Sequence, residues 1–521
     1  MKRQLNVFLI ALLFAALLLP SQAALAAAGD TYTDGVFNFK ELSDGTLSVT
    51  GYMGPDDVVI PASYNPGSGD KQVTRIESDV FRNNLAIESV VIPDSIITIG
   101  TDSFSGCTNL NSVTISANSK LETLEQGAFY ATGLTSINFP KSVKTIGYSA
   151  FSGCASLETI TFSDDGNLQT IGTGAFYHTA VHTISIPKSV TLIADDAFSG
   201  CANLTSVTFA EDINLLKLNT GAFYATGLTS VTVPASVKSI GTDTFSSCAN
   251  LTSVIFEEGS ILQTIQTGAF WSTGITSITL PRHLQSIGTQ AFENTHLTKV
   301  IIESDSVTFG SYVFANAPMT DGIYGFAPST AQTYASNNSI QFNQLYKVLY
   351  DSQGGSDIDF DYTSVLGDSV NQPDDPFYSD NIFKGWFTEP ECVNEVNFPY
   401  TVAGNVALYA KWIPVLKLAS SDSDGIIYKG GRITLTPNIQ GGIWNVDAAF
   451  LSQNGYTFTA LKAGTTQVEY TAEGQSVVYN ITINQTQLPQ TGQNFTIVFV
   501  LAGVAIITAG IAWYFLKRKK A

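Results

Sequence analysis

The sequence predicts a mainly β chain: a solenoid of short stacked coils, followed by two smaller β modules. Three observations predict it. Phenylalanines recur at Phe81, Phe104, Phe129, Phe151, Phe176, Phe198, Phe223, Phe245, Phe270, Phe292 and Phe314, in steps that alternate 25 and 22 residues from Phe104 to Phe292. One strand-like segment accompanies each step, as in "LTSINFP" (134–140), "LETITF" (157–162), "HTISIP" (182–187), "LTSVTF" (204–209) and "LTSVTVP" (228–234), with apolar residues facing in and Ser, Thr or Asn facing out. Beyond residue 345 the period stops and plain strand alternation takes over, as in "RITLTP" and "SVVYNITIN". A period of this length with one strand per step marks a solenoid, because a single coil cannot bury its Leu, Val, Ile and Phe without a neighbour above and below.

The elements follow in chain order. Residues 1–28 join a basic start (Lys2, Arg3), an apolar run and small residues suited to cleavage, so they read as a signal peptide and are set aside from the fold. Residues 29–57 carry "DGVFNFKELSDGTLSVTGY" at 34–52, which looks like the N-terminal capping hairpin of the repeat family that residues 58–345 resemble. Residues 58–345 hold about twelve coils. Their recurring L-x-x-[VI]-x-[FIV]-P followed by "IG-x-x-AF" resembles the BspA-like leucine-rich repeat, a surface-protein family. The resemblance implies capping elements at both ends of the array, the C-terminal one lying at 323–345 with a helix near Ser329–Ala335.

The outward strand positions are polar but uncharged. Ser136, Asn138, Thr159, Thr161, Thr183, Ser185, Ser206, Thr208, Ser230 and Thr232 make the candidate ligand face, since repeat arrays bind through extended surfaces. The same residue types also suit exposed strand positions of any sheet. Cysteines fall in a second column, at Cys107, Cys154, Cys201 and Cys248, each 47 residues after the last and alternating with Thr132, Thr179 and Thr226. Adjacent parallel strands lie about 4.8 Å apart. Cysteines two coils apart are therefore beyond the reach of about 7 Å that a disulfide allows, and are expected as free, buried, small hydrophobes.

Residues 346–413 carry "VLYDSQGGS", "FKGWFTEPECVNEVNF" and "NVALYAKW" in order, and are similar to the Listeria–Bacteroides repeat, the B-repeat of internalins. That resemblance implies a small β-grasp-like spacer or interaction module. Cys392 is expected as a surface-loop thiol. Residues 414–487 resemble a bacterial Ig-like β-sandwich with Trp444 in its core.

The chain ends (488–521) on Leu488, Pro489, Gln490, Thr491 and Gly492, an apolar stretch at 495–516 and "KRKKA". This order resembles the LPxTG cell-wall sorting signal of Gram-positive surface proteins. The resemblance implies that a sortase cleaves after Thr491 and joins it to peptidoglycan, while the apolar stretch serves as a transient transmembrane helix.

The formal charge is −19 and both termini are basic, so the middle is more acidic still and repels nucleic acid. Four histidines serve the chain, and no G-x-S-x-G, H-E-x-x-H or phosphate-cradling loop occurs. No catalytic residue, metal site or cofactor is expected. The function expected is that of a secreted, wall-anchored surface protein whose solenoid binds a host protein or glycan. Its alternative is an inert projecting rod; a wall hydrolase is the remotest reading.

Overall fold

The computed structural model describes residues 29–485. The expected signal peptide at 1–28, the sorting motif at 488–492 and the apolar stretch at 495–516 lie outside these residues. The described residues form two compact units. One runs to Leu349 and includes Asp359–Gln372 and Asn397–Ala407; the other holds Tyr350–Ile358, Pro373–Val396 and the residues from Leu408 on.

In the first unit the phenylalanine column decides the architecture. The eleven rings are all buried and stack face to face, from 4.6 Å between Phe81 and Phe104 to 5.6 Å between Phe292 and Phe314. Stacking at one coil per step needs the same ring at the same place in every coil, which is why the sequence period is so regular. The turns that carry the rings are tied to one another as well. Phe104 N–H donates to Ala128 O at 2.9 Å and Phe129 N–H to Ala150 O at 2.8 Å, so buried turn backbone is satisfied by the next coil.

Two strand columns complete each coil. The shorter runs through two-residue strands such as Thr123–Leu124, Thr145–Ile146 and Thr170–Ile171, paired parallel and in register. The longer holds Ser136–Asn138, Thr159–Thr161, Thr183–Ile186, Ser206–Phe209, Ser230–Val233 and Ser253–Phe256. Its strands pair two by two: 136–138 with 159–161, 183–186 with 206–209, and 230–233 with 253–256. The hydrogen-bonded ladder lapses between these pairs, so backbone pairing follows the same two-coil period as the cysteines.

A hairpin and a helix stand at the two ends of the array. Phe37–Glu41 and Leu47–Tyr52 form an antiparallel hairpin that starts the first sheet. The helix Thr330–Asn337 closes the other end, with Ser329 as its N-cap accepting from Gln332 N–H.

All five cysteines are free. In the array they do more than fill space. Cys154 Sγ donates to Phe129 O at 3.1 Å and lies 3.2 Å from Thr132 Oγ1, which itself donates to Phe129 O at 3.1 Å. One carbonyl thus takes a thiol and a hydroxyl from successive coils, and Phe223 O does the same for Cys248 and Thr226. Burial raises all four array thiols, those of Cys107 and Cys201 to about 11 from an ordinary 9.0. An unfolded chain releases these protons near 9 while the folded chain keeps them, so their contribution to stability is intact below that pH and is lost as pH rises through about 11. The melting temperature is expected to fall as pH rises from about 9 toward 11, and the fall to be smaller when the four cysteines become serine. A melt insensitive to pH over that span contradicts the buried thiols.

In the second unit, Asn381–Phe387 pairs antiparallel with Val406–Pro414, opposing Trp386 to Ala410. Trp386 is buried against Tyr350, ring centroids 5.0 Å apart, and Trp412 Nε1 donates to Ser352 O at 2.6 Å. Cys392 corrects its surface-loop assignment. It is buried, because its loop turns inward at a positive φ of 53° and brings Sγ to 3.8 Å from Ala410 O. Two four-stranded sheets follow. They enclose Ile433, Leu435, Phe458, Val468 and Ile481 in a sandwich core, with half-buried Trp444 packed on Phe458 and Tyr470 at its edge.

Candidate ligand-binding face

The long strand column alternates inward and outward side chains, so its outward positions form a ladder at one strand spacing. All ten predicted face residues are exposed: Ser136 and Asn138, Thr159 and Thr161, Thr183 and Ser185, Ser206 and Thr208, and Ser230 and Thr232. Between them Ile137, Ile160, Ile184, Val207 and Val231 point into the core and hold the strands flat. The hydroxyls are mostly left to solvent; Thr208 Oγ1 to Ser185 Oγ at 3.0 Å is a cross-strand exception. Such a surface can exchange hydrogen bonds along its length and carries no formal charge.

Toward both ends the column changes character. Val59 and Val91 are exposed on one side of the hydroxyl tract and Ile255 on the other, at 64%, 38% and 57%. At Ile255 the surface deepens into a cleft of about 590 Å³. Its floor comes from Ser253–Phe256, Ser277–Leu280 and Lys299–Ile302, where the ladder lapses between the first two strands. Its wall is Asp359 and Phe360, held by an Arg282–Asp359 ion pair and by Arg282 lying 5.8 Å from the Phe360 ring centroid. Lys347 reinforces that wall, with Nζ 2.9 Å from Asp305 Oδ2 and 4.0 Å from the Phe326 ring centroid.

Glu303 lies in the cleft and accepts from Tyr362 O–H at 2.9 Å. Burial raises its carboxyl above the usual range, opposed by the Tyr362 hydrogen bond and by Arg282. Burial and the facing Glu303 likewise push the Tyr362 phenol up. Sequence reasoning found the ladder but not the cleft. Arg282 and Asp359 are 77 residues apart, and nothing in their local sequence announces the pairing.

Residues 74–205 and 216–342 match the BspA type leucine rich repeat region in six copies. Residues 346–411 match the Listeria-Bacteroides repeat domain, and residues 481–521 the LPXTG cell wall anchor motif. No curated protein matches the chain. Among solved structures, the pneumococcal vaccine antigen PcpA is similar at 24% identity, over 58% of this chain and 82% of that one, with a TM-score of 0.44. A leucine rich cell surface protein from Faecalibacterium prausnitzii matches at 25% identity, over 54% and 94%, with a TM-score of 0.32. A leucine-rich repeat protein from Bacteroides ovatus matches at 19%, over 60% and 99%, with a TM-score of 0.34. With its repeats, its Listeria-Bacteroides repeat domain and its anchor motif each matched, this chain is a BspA-like leucine-rich repeat surface protein of the cell wall.

Proposed function

We propose that the chain is a wall-anchored binding protein, whose solenoid holds a host protein or glycan along the hydroxyl ladder and against the cleft at its end. The observation that carries this reading is the uninterrupted run of ten exposed, uncharged polar side chains on five successive strands. A buried array can tolerate many residue types on its outer surface, but this tract keeps small hydrogen-bonding ones throughout. Each such contact with a ligand contributes about 0.5–1.5 kcal/mol net, so affinity comes from length rather than from any one residue. The cleft adds an apolar and charged terminus to the track. In the same reading the sortase joins Thr491 to peptidoglycan, the segment 495–516 holds the precursor at the membrane until then, and the modules from residue 346 onward stand between wall and solenoid.

The test places bulk and charge on the ladder without touching the core. In the full chain displayed on cells, Ser206→Lys with Thr208→Lys is expected to reduce adhesion to host cells or matrix by about tenfold. Both side chains are exposed, so the melting temperature should hold. Adhesion unchanged by the double variant, or absent from the unaltered chain on every host surface tried, sinks the ladder as a binding face and favours the inert rod.

A further inference from the structure

The turn column that carries the phenylalanines also carries a second aromatic series on its outside. The residue after each Phe is Tyr130, Tyr177, Tyr224 and Trp271 in alternate coils, each 47 residues after the last. The coils between them place Ser105, Ser152, Ser199 and Ser246 at the same position, all buried. Tyr130, Tyr177 and Tyr224 are 46%, 40% and 40% exposed, and no protein group among the described residues engages their hydroxyls. Trp271 is half-buried. The core rings beneath them step 5.3 Å from Phe129 to Phe151 and 5.4 Å from Phe151 to Phe176. Outer rings two coils apart therefore recur about every 11 Å.

Carboxylates accompany three of the four rings. Gly221 adopts a φ of +59°, and a Cβ there would fall 2.2 Å from Asp196 Oδ1 and 3.8 Å from the Tyr224 Cβ. The missing side chain thus lets the aspartate of the preceding coil settle beside the tyrosine. Gly127 does the same for Asp102 and Tyr130, and Gly268 for Asp243 and Trp271. At Tyr177 the position facing Gly174 is held by Ser149, and the His178 ring meets the Tyr177 ring in a T-shaped contact with centroids 4.3 Å apart. Asp102 is bridged by Arg82 at 3.1 Å, whereas no hydrogen-bond donor or cation among the described residues engages the carboxylates of Asp196 and Asp243. Burial raises both, with the charge of Asp195 adding to the effect at Asp196.

A flat ring beside a hydrogen-bond acceptor suits a sugar. One face of a pyranose presents C–H groups, which the negative face of an aromatic ring attracts, while its edge presents hydroxyls that a carboxylate accepts. In an extended β-1,4-linked chain alternate sugars are turned over, so the same face returns once per disaccharide, a length close to the two-coil step. The acidic chain disfavours a polyanion. We propose that Tyr130, Tyr177, Tyr224 and Trp271 form a stacking ladder for an uncharged, linear β-1,4-linked glycan, with Asp196 and Asp243 accepting hydrogen bonds from its hydroxyls. The ladder is separate from the strand face and does not rest on the function proposed for it.

The test is calorimetric titration of the full chain with cellohexaose and chitohexaose, with the α-1,4-linked maltohexaose as geometric control. At least one β-1,4 hexasaccharide is expected to saturate the chain, with its disaccharide weaker by about tenfold because it covers a single rung. Tyr177→Ala with Tyr224→Ala should weaken the hexasaccharide by about tenfold or more, and Tyr177→Phe with Tyr224→Phe should stay within about twofold. Failure of both β-1,4 hexasaccharides to bind, equal binding of maltohexaose, or binding undiminished in the double alanine variant overturns the proposal. Binding that survives the alanine variant and is lost in Ser206→Lys with Thr208→Lys overturns it too, and gives the glycan to the strand face instead.

Discussion

Phe176→Ala is expected to destabilise the solenoid by about 3–5 kcal/mol, the loss typical of an interior aromatic truncation. Its ring is fully buried and stacks on Phe151 and on Phe198, each 5.4 Å away, with Phe139 and Phe162 edge-on at 6.5 and 6.4 Å. Removing it leaves a void that neighbours cannot close, because each is fixed by its own coil. In an array stabilised by nearest-neighbour contacts the cost falls on one interface, so urea unfolding should broaden or separate into two steps. A loss near zero contradicts the stacked column.

Thr491→Ala is expected to abolish wall attachment. In the proposed anchoring, a sortase thiolate attacks the Thr491 carbonyl, the bond to Gly492 breaks, and the acyl group passes to a peptidoglycan amine. Without cleavage the chain keeps the apolar stretch 495–516 and its basic end, and it should collect in the membrane fraction as a slightly larger species. Cell fractionation with immunoblotting reads both changes. Covalent attachment that persists in the variant would falsify Thr491 as the joined residue, while leaving the solenoid's fold and its proposed binding faces as they are.

The solenoid was legible in the sequence because its physics is repetitive. A ring that must stack on its neighbours has to recur, and Phe81 to Phe314 do so at every coil. Outward strand positions were legible for the same reason, since Ile137 and Val207 fix which side faces the core and leave Ser136 and Thr208 outside. The free cysteines followed from spacing alone. Their hydrogen bonds did not, because a thiol that donates to a carbonyl in the preceding coil has no local signature.

What escaped the sequence depends on approach between distant segments. The cleft needs Asp359 and Phe360 beside Arg282. Cys392 is buried by strand Val406–Pro414, which begins 14 residues later and supplies the Ala410 carbonyl. Tyr130, Tyr177, Tyr224 and Trp271 carried a readable signal, a 47-residue aromatic period, which the denser phenylalanine series obscured.

The pairing of Cys154 with Thr132, Cys201 with Thr179 and Cys248 with Thr226 has a consequence for how the gene can change. Duplication or loss of a 47-codon segment between Phe129 and Phe270 keeps cysteine coils alternating with threonine coils, so the descendant folds at once with a reach altered by about 10 Å. Insertion of a single coil would set cysteine on cysteine and serine on serine, or threonine on threonine and tyrosine on tyrosine, at the join. Recombination should therefore lengthen or shorten this protein in pairs of coils, and length variants among its descendants should differ by multiples of that unit.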